Sequence, residues 1–231
     1  MLMGPSHNIG MRTLTSASSR RTFMRTVISG VGVAAASAVP VRSFAQAFTA
    51  SPDAATPMLS SRIVRPTLLK AALAALDRHG DRIAFHDRIA IADFAAPSAL
   101  PRFHLVDLTS AETTTMRVAH GRGSDPEHTG WLQHFSNDPG SYASSDGAFL
   151  AGDYYLGKHG RSQRLIGLDP TNDNALNRAI VIHSAWYAEP EVAVTHGQLG
   201  RSEGCFAVGQ ADLERVFALL GPGRMLFAAK A

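Results

Sequence analysis

The sequence predicts a mainly β domain of the α+β class with a few packing helices. Short apolar runs with β-rich composition recur from residue 88 onward. Helical stripes occur near the start and near the end of this region. Between them, Gly, Ser, Asn, Asp and Pro crowd the connections. The chain has 231 residues, 45% hydrophobic and 18% charged. That length and composition suit one globular domain with a real core and exclude a disordered chain.

The first element is a helix opening at Pro66, where proline fits the first turn. Leu68, Leu69, Ala72, Leu73 and Leu76 share one face, and Gly80 after His79 stops it. Ile89, Ile91 and Asp93 then alternate with small residues as a strand does. Two β-rich runs, 102–107 and 114–120, flank a polar connection of hairpin length. Residues 121–147 read as long loops, which in a compact domain usually carry function. Further strands are expected at 153–156 and 179–183, the second almost wholly apolar and so buried on both faces. Leu213, Val216, Phe217 and Leu220 stripe a last helix over 211–220, ended by Gly221-Pro222-Gly223. A closing strand over 224–229 completes the reading.

The formal charge of +3 belongs to the first 47 residues. They hold Arg12, Arg20, Arg21, Arg25 and Arg42 and no acid. Without those five, 17 basic residues face 19 acidic ones, a formal −2. The balance therefore gives no footprint for nucleic acid. Ser19-Arg20-Arg21-Thr22-Phe23-Met24 resembles a twin-arginine export motif. A mildly apolar run from Thr26 to Val41 follows, too short and weak for a stable membrane span. Ala45-Gln46-Ala47 has the small-x-small form of a cleavage site. Residues 1–47 are thus expected to be a signal peptide, 48–62 a flexible linker, and 63–231 the domain. The expected destination is the periplasm or cell envelope, with no membrane span after cleavage.

Cys205 is the one cysteine, so an intramolecular disulfide is impossible. In an oxidising space such a thiol is either buried or used. It lies in Gly200-Arg201-Ser202-Glu203-Gly204-Cys205-Phe206. Gly204 lets the backbone turn sharply beside a substrate, which can aim backbone N–H groups at a developing oxyanion. A thiol nucleophile also needs a base, and a neighbouring imidazole lowers its pKa. His183 ends the apolar strand 22 residues before Cys205. Strand context favours it, but His159 and His196 remain alternatives on this ground alone. Ser202 is either a loop-orienting residue or a turn serine. Arg201 is either solvated or a substrate contact. Tyr154, Tyr155, Trp131 and Trp186 suit a cleft or a core equally, with Trp186 best placed by position. The ten histidines include no closely spaced ligand set, so no metal is expected.

The order strand-His, loop, Ser-x-Gly-Cys resembles the L,D-transpeptidase catalytic-domain (YkuD-like) family, here as Ile182-His183 and Ser202-Glu203-Gly204-Cys205. The blocks 118–124, 135–137, 144–147, 155–160 and 172–175 resemble a divergent murein branch of it. Phe206-Ala207-Val208 stand where the family commonly has an arginine soon after the cysteine, and Ser184-Ala185 replace its Gly-Thr. His196-Gly197 mimics the family's His-Gly pair but lies only nine residues before Cys205.

The resemblance implies a β-sandwich-like catalytic domain without cofactor, acting on peptidoglycan stem peptides. Cys205 would attack the bond between the L-centre of a diamino acid and a terminal D-alanine. D-Alanine would leave, and an amine of another stem would take the acyl group. Water as acceptor would make the enzyme an L,D-carboxypeptidase. A wall-binding or scaffold protein that kept the fold is the non-enzymatic alternative. In the catalytic reading His183 is the base, Gly204 and Cys205 offer oxyanion donors, and Ser202 orients the loop or His183. Arg201, Tyr155 and Trp186 are the substrate-binding candidates.

Overall fold

The computed structural model describes residues 63–231. The expected signal peptide and linker lie outside the described residues. The order is α1 (Pro66–Arg78), β1 (Arg88–Asp93), β2 (Phe103–Asp107), β3 (Thr113–Met116), β4 (Gly147–Gly157), β5 (Gly160–Gly167) and β6 (Val181–Ser184). Then come α2 (Pro190–His196), β7 (Phe206–Val208), α3 (Gln210–Leu220) and β8 (Met225–Ala229). The strands form one 8-stranded sheet in the order β3-β2-β1-β8-β4-β5-β6-β7. The domain is therefore mainly β with packing helices, as its sequence pattern predicts.

Both faces of the central strands are covered, and their side chains divide by parity. Ile89 and Ile91 of β1, with Met225 and Phe227 of β8, meet Leu68, Leu69, Ala72, Ala75 and Leu76 of α1. Ala90 and Ala92, with Leu226 and Ala228, face the main core, where α3 inserts Leu213, Val216, Phe217 and Leu220. Both ends of the ladder reach that same core, through Phe103 and Leu105 of β2 and Phe206 and Val208 of β7. Chain connectivity completes the closure. After β3 the backbone leaves one edge, and the Ala119 N–H donates to the Ala207 carbonyl at the other edge (2.8 Å). Phe149 sits at the middle of the main core, fully buried and edge-on to Phe206 at 5.5 Å.

Several elements differ from the sequence expectation. The run expected to continue to His120 stops as β3 at Met116, because Val118 and Ala119 turn toward β7 instead. β4 begins at Gly147, well before 153; Gly147, Ala148, Ala151 and Gly152 give it little β-branched character, and its register shifts between Ala151 and Tyr154. β5 was not expected, since Arg161, Gln163 and Arg164 interrupt its apolar pattern. α2 spans seven residues, too few to show a stripe, and β7 spans three.

Replacing Phe149 by Ala should lower the unfolding free energy by about 3–5 kcal/mol, the usual cost of emptying an aromatic core position. Urea denaturation checks this; a loss under about 1 kcal/mol would show that the core collapses into the gap.

Candidate functional site

β6 and β7 run parallel, with Ile182 opposite Phe206 and His183 opposite Ala207. Ile182 and Phe206 point into the main core. Alternation then sends His183 to the other face, along with Cys205, one residue before β7. Both line a cavity of ≈ 390 Å³ with Tyr155, Lys158, Arg178 and Arg201 among its other walls.

His183 is almost fully buried, and its Nδ1–H donates to the Ser184 carbonyl at 2.9 Å. A carbonyl only accepts, so this bond leaves Nε2 as the basic nitrogen of the neutral ring. Desolvation pushes the His183 pKa down to about 4, with the nearby His159 and Lys158 lowering it further against the raising effect of the Ser184 bond. His159 stacks on His183 with centroids 4.1 Å apart. It sits in the two-residue turn Lys158–His159 between β4 and β5, and β5 is registered on β6 through Ser162 and His183. His196 instead ends α2 and lines a neighbouring cavity.

Cys205 is half-buried, and its Sγ–H points to the Ala179 carbonyl at 3.6 Å. Ala179 holds φ +53, a left-handed conformation that costs a non-glycine residue about 1–2 kcal/mol. Burial pushes the Cys205 thiol pKa up, against the lowering effect of a backbone bond from Val181. The expectation that the imidazole lowers it sharply is therefore corrected. Desolvation acts on both groups and favours the neutral thiol and the neutral imidazole.

The loop before Cys205 is held by polar groups. Gly204 has φ +111, and a Cβ there would meet the Ala143 carbonyl at 2.7 Å and Ile180 Cδ1 at 2.8 Å. Its N–H donates to Ser202 Oγ (3.2 Å), and Ser202 Oγ–H donates to the Cys205 carbonyl (2.6 Å). Ser202 thus orients the loop. Because the Gly204 N–H is engaged there, it does not point freely at a substrate as expected. Upstream, the Ser202 N–H donates to the His120 carbonyl (2.9 Å) and the Arg122 N–H to the Ser202 carbonyl (2.8 Å).

His120 is itself fixed by a buried network. Arg102, fully buried, donates from Nη2 to His120 Nδ1 (2.7 Å) and from Nε to the Val118 carbonyl (3.0 Å). His120 Nε2–H then donates to Asp125 Oδ2 (3.3 Å), whose carboxylate also accepts the Thr129 and Gly130 N–H groups. Burial, with Arg102 beside it, pushes the His120 pKa down to about 3. The ring stays a neutral link between a permanent donor and a carboxylate.

The expected substrate contacts fare differently. Tyr155 lines the cavity, its ring under the Arg164 guanidinium at 4.2 Å. Arg201 lines it too, but its Nη1 is bonded to the carbonyls of Asp125 and Pro126. Trp186 does not line it. The chain turns at Trp186–Ala188 directly after β6, and the indole, 78% exposed, faces the neighbouring cavity with His128 and Val192. Its neighbour Tyr187 lines both. Arg178 went unnoticed in the sequence. It precedes β6 and donates to the carbonyls of Ser136 (2.8 Å) and Ala143 and to Ser145 Oγ (2.6 Å), tying down the long loop after His120. Its signal was its position just before the predicted histidine strand. Among the described residues no group of three or more His, Cys, Asp or Glu is placed to hold a metal ion. No helix among them is long and apolar enough to cross a membrane.

The model of the L,D-transpeptidase catalytic domain matches residues 60–229. The chain belongs to this family. It is similar to the solved L,D-transpeptidase 3 from Mycobacterium tuberculosis in complex with a faropenem-derived adduct, at 14% identity over 62% of this chain and 60% of that one, TM-score 0.40. It is also similar to the L,D-transpeptidase from Mycobacterium smegmatis, at 13% identity over 62% and 58%, TM-score 0.38. Bd1075 of Bdellovibrio bacteriovorus matches at 9% identity over 64% and 49%, TM-score 0.40. The chain spans less than two thirds of the length of the solved family chains it matches. No curated protein matches the sequence.

Replacing Gly204 by Ala should lower the unfolding free energy by about 1–3 kcal/mol, because the strained φ and the blocked Cβ position act together. Urea melts measure it, and an unchanged midpoint would count against the packing described. Alkylation of Cys205 by iodoacetamide should stay slow at mildly acidic pH. It should climb only above the ordinary thiol pKa of about 8.5, since the thiolate appears only above the raised pKa. A rate plateau in the acidic range would instead reveal a resting thiolate–imidazolium pair.

Proposed function

We propose that the protein is an exported cysteine acyltransferase that cross-links peptidoglycan stem peptides by L,D-transpeptidation. Family membership supports the reaction class, and one observation carries the assignment of residues. Cys205 and His183 share a face of the β6–β7 pair and a cavity, and the Ser184 bond leaves His183 Nε2 unprotonated.

In this reading Sγ attacks the carbonyl carbon of the bond between the diamino acid L-centre and the terminal D-alanine. The thiol proton passes to His183 Nε2 as the S–C bond forms, so neither charge has to be held alone in the desolvated site. The Cys205 N–H is the loop's candidate donor to the oxyanion, since the Gly204 N–H is bonded to Ser202. The intermediate collapses with cleavage of the C–N bond. His183 returns the proton to the leaving nitrogen, and D-alanine departs. An amine of a second stem then attacks the thioester, giving up a proton to His183, and releases the thiol. Ser202 keeps the loop in shape, while Tyr155 and Arg201 form walls for the stem. Trp186 flanks a separate cavity rather than the reacting centre. The twin-arginine motif and the Ala45-Gln46-Ala47 site support export to the envelope, where such stems are found.

The test is incubation of tetrapeptide-stem muropeptides with the purified protein and with Cys205→Ala, read by mass spectrometry. Cross-linked dimers should form with the first and not with the second. Tripeptides without dimers would assign an L,D-carboxypeptidase on the same machinery. Unchanged muropeptides under reducing conditions would favour a wall-binding or scaffold protein.

A further inference from the structure

The cavity that holds Cys205 has three permanently charged cations on its walls, Lys158, Arg178 and Arg201. Two are tethered to backbone carbonyls of the protein. Arg178 donates from Nη1 to the Ser136 carbonyl (2.8 Å) and Ser145 Oγ (2.6 Å), and from Nη2 to Ser141 Oγ (3.2 Å) and the Ala143 carbonyl. Its Nη protons are all in use, and they bind a loop. Arg201 is drawn by Nη1 to the carbonyls of Asp125 and Pro126. Lys158 differs. Its ion pair with Glu203 spans 3.9 Å, beyond hydrogen-bond length. Glu203 lies closer to Arg122, at 3.4 Å. An ammonium carries three donors, so Lys158 has donors to spare at the mouth of the cavity.

Its position in the fold is defined. Lys158 and His159 form the tight turn of the β4–β5 hairpin, and Gly157 and Gly160 close it as a pair. His159 docks that turn by stacking on His183 at 4.1 Å. The Lys158 charge reaches the reacting groups, since it acts on both the Cys205 thiol and the His183 imidazole.

We propose that Lys158 is a specificity-determining cation that takes the free C-terminal carboxylate of the stem peptide. This rests on the acyl-transfer reading above. The bond attacked there is followed by a single residue, so the terminal carboxylate lies about one Cα–Cα step, ~3.8 Å along the chain, from the reacting centre. A cation on the wall of the cavity that holds Cys205 faces the space such a carboxylate would enter. A stem extended by one more residue, or capped as an amide, would put no charge at that spot. Lys158 would thus select stems that end one residue beyond the attacked bond.

The experiment compares a tetrapeptide stem ending in D-alanine with the same stem ending in D-alanine amide. The rate of D-alanine or D-alanine amide release is followed with wild-type protein, Lys158→Met and Lys158→Arg. Each preparation's acid-to-amide ratio of kcat/KM is internal, so partial misfolding cancels from it. Wild type should prefer the acid by about tenfold, as expected for a charge-assisted bond. That ratio should fall toward unity in Lys158→Met, mainly through KM for the acid, and largely return in Lys158→Arg. It should also shrink as salt is raised, because Lys158 is solvent-accessible. Wild-type turnover with a ratio that Lys158→Met leaves unchanged would overturn this inference and spare the acyl-transfer reading. No Cys205-dependent turnover of either stem would overturn that reading, and this inference with it.

Discussion

The site depends on the parallel register of β6 and β7. Side chains alternate across a sheet, so one register brings His183 and Cys205 to one face and leaves Ile182 and Phe206 to the core. A slip of one residue would send Cys205 inward and an apolar side chain into the cavity. β7 is only three residues long and cannot hold this register alone. The Ala119–Ala207 bridge pins its other side, and the Phe206 ring packs against Phe149 and Phe94 beneath it. The same core that stabilises the domain therefore sets which way the thiol points.

Desolvation is the next constraint. Burial favours the neutral form of an acid and of a base alike, so it raises the thiol and lowers the imidazole. The thiol proton points to the Ala179 carbonyl.

Much of this was legible in the sequence. Pro66 and Gly80 bracket α1, and the Leu213–Leu220 stripe gives α3, because caps and periodicity are local signals. His183, Ser202, Gly204 and Cys205 come together as the motif order suggests. What escaped has a physical reason in each case. β5 pairs on both sides yet carries Arg161 and Arg164 outward, so its pattern looks polar. Trp186 seemed aimed at the cleft, but a turn that only the folded backbone reveals swings it away. Arg102 reads as the polar start of a strand, whereas the fold buries it entirely with backbone carbonyls and an imidazole as partners.

The replacement of the usual arginine after the cysteine by Phe206-Ala207-Val208 follows from the same economy of space. Those residues are all buried, so a guanidinium there would lie in the main core or in the small apolar cluster of Ala119, Ala188, Ala193 and Leu199 that holds Ala207. A cation is instead supplied from Arg178, one turn before β6, where its donors reach the loop carbonyls from Ser136 to Ala143. From the other flank, Arg102 and His120 hold the backbone to which Ser202 is laddered. The segment before Cys205 thus lies between two elements that arginines fix, the loop through Ala143 held by Arg178 and the backbone at His120 held by Arg102. The positions right after Cys205 are taken up by apolar packing.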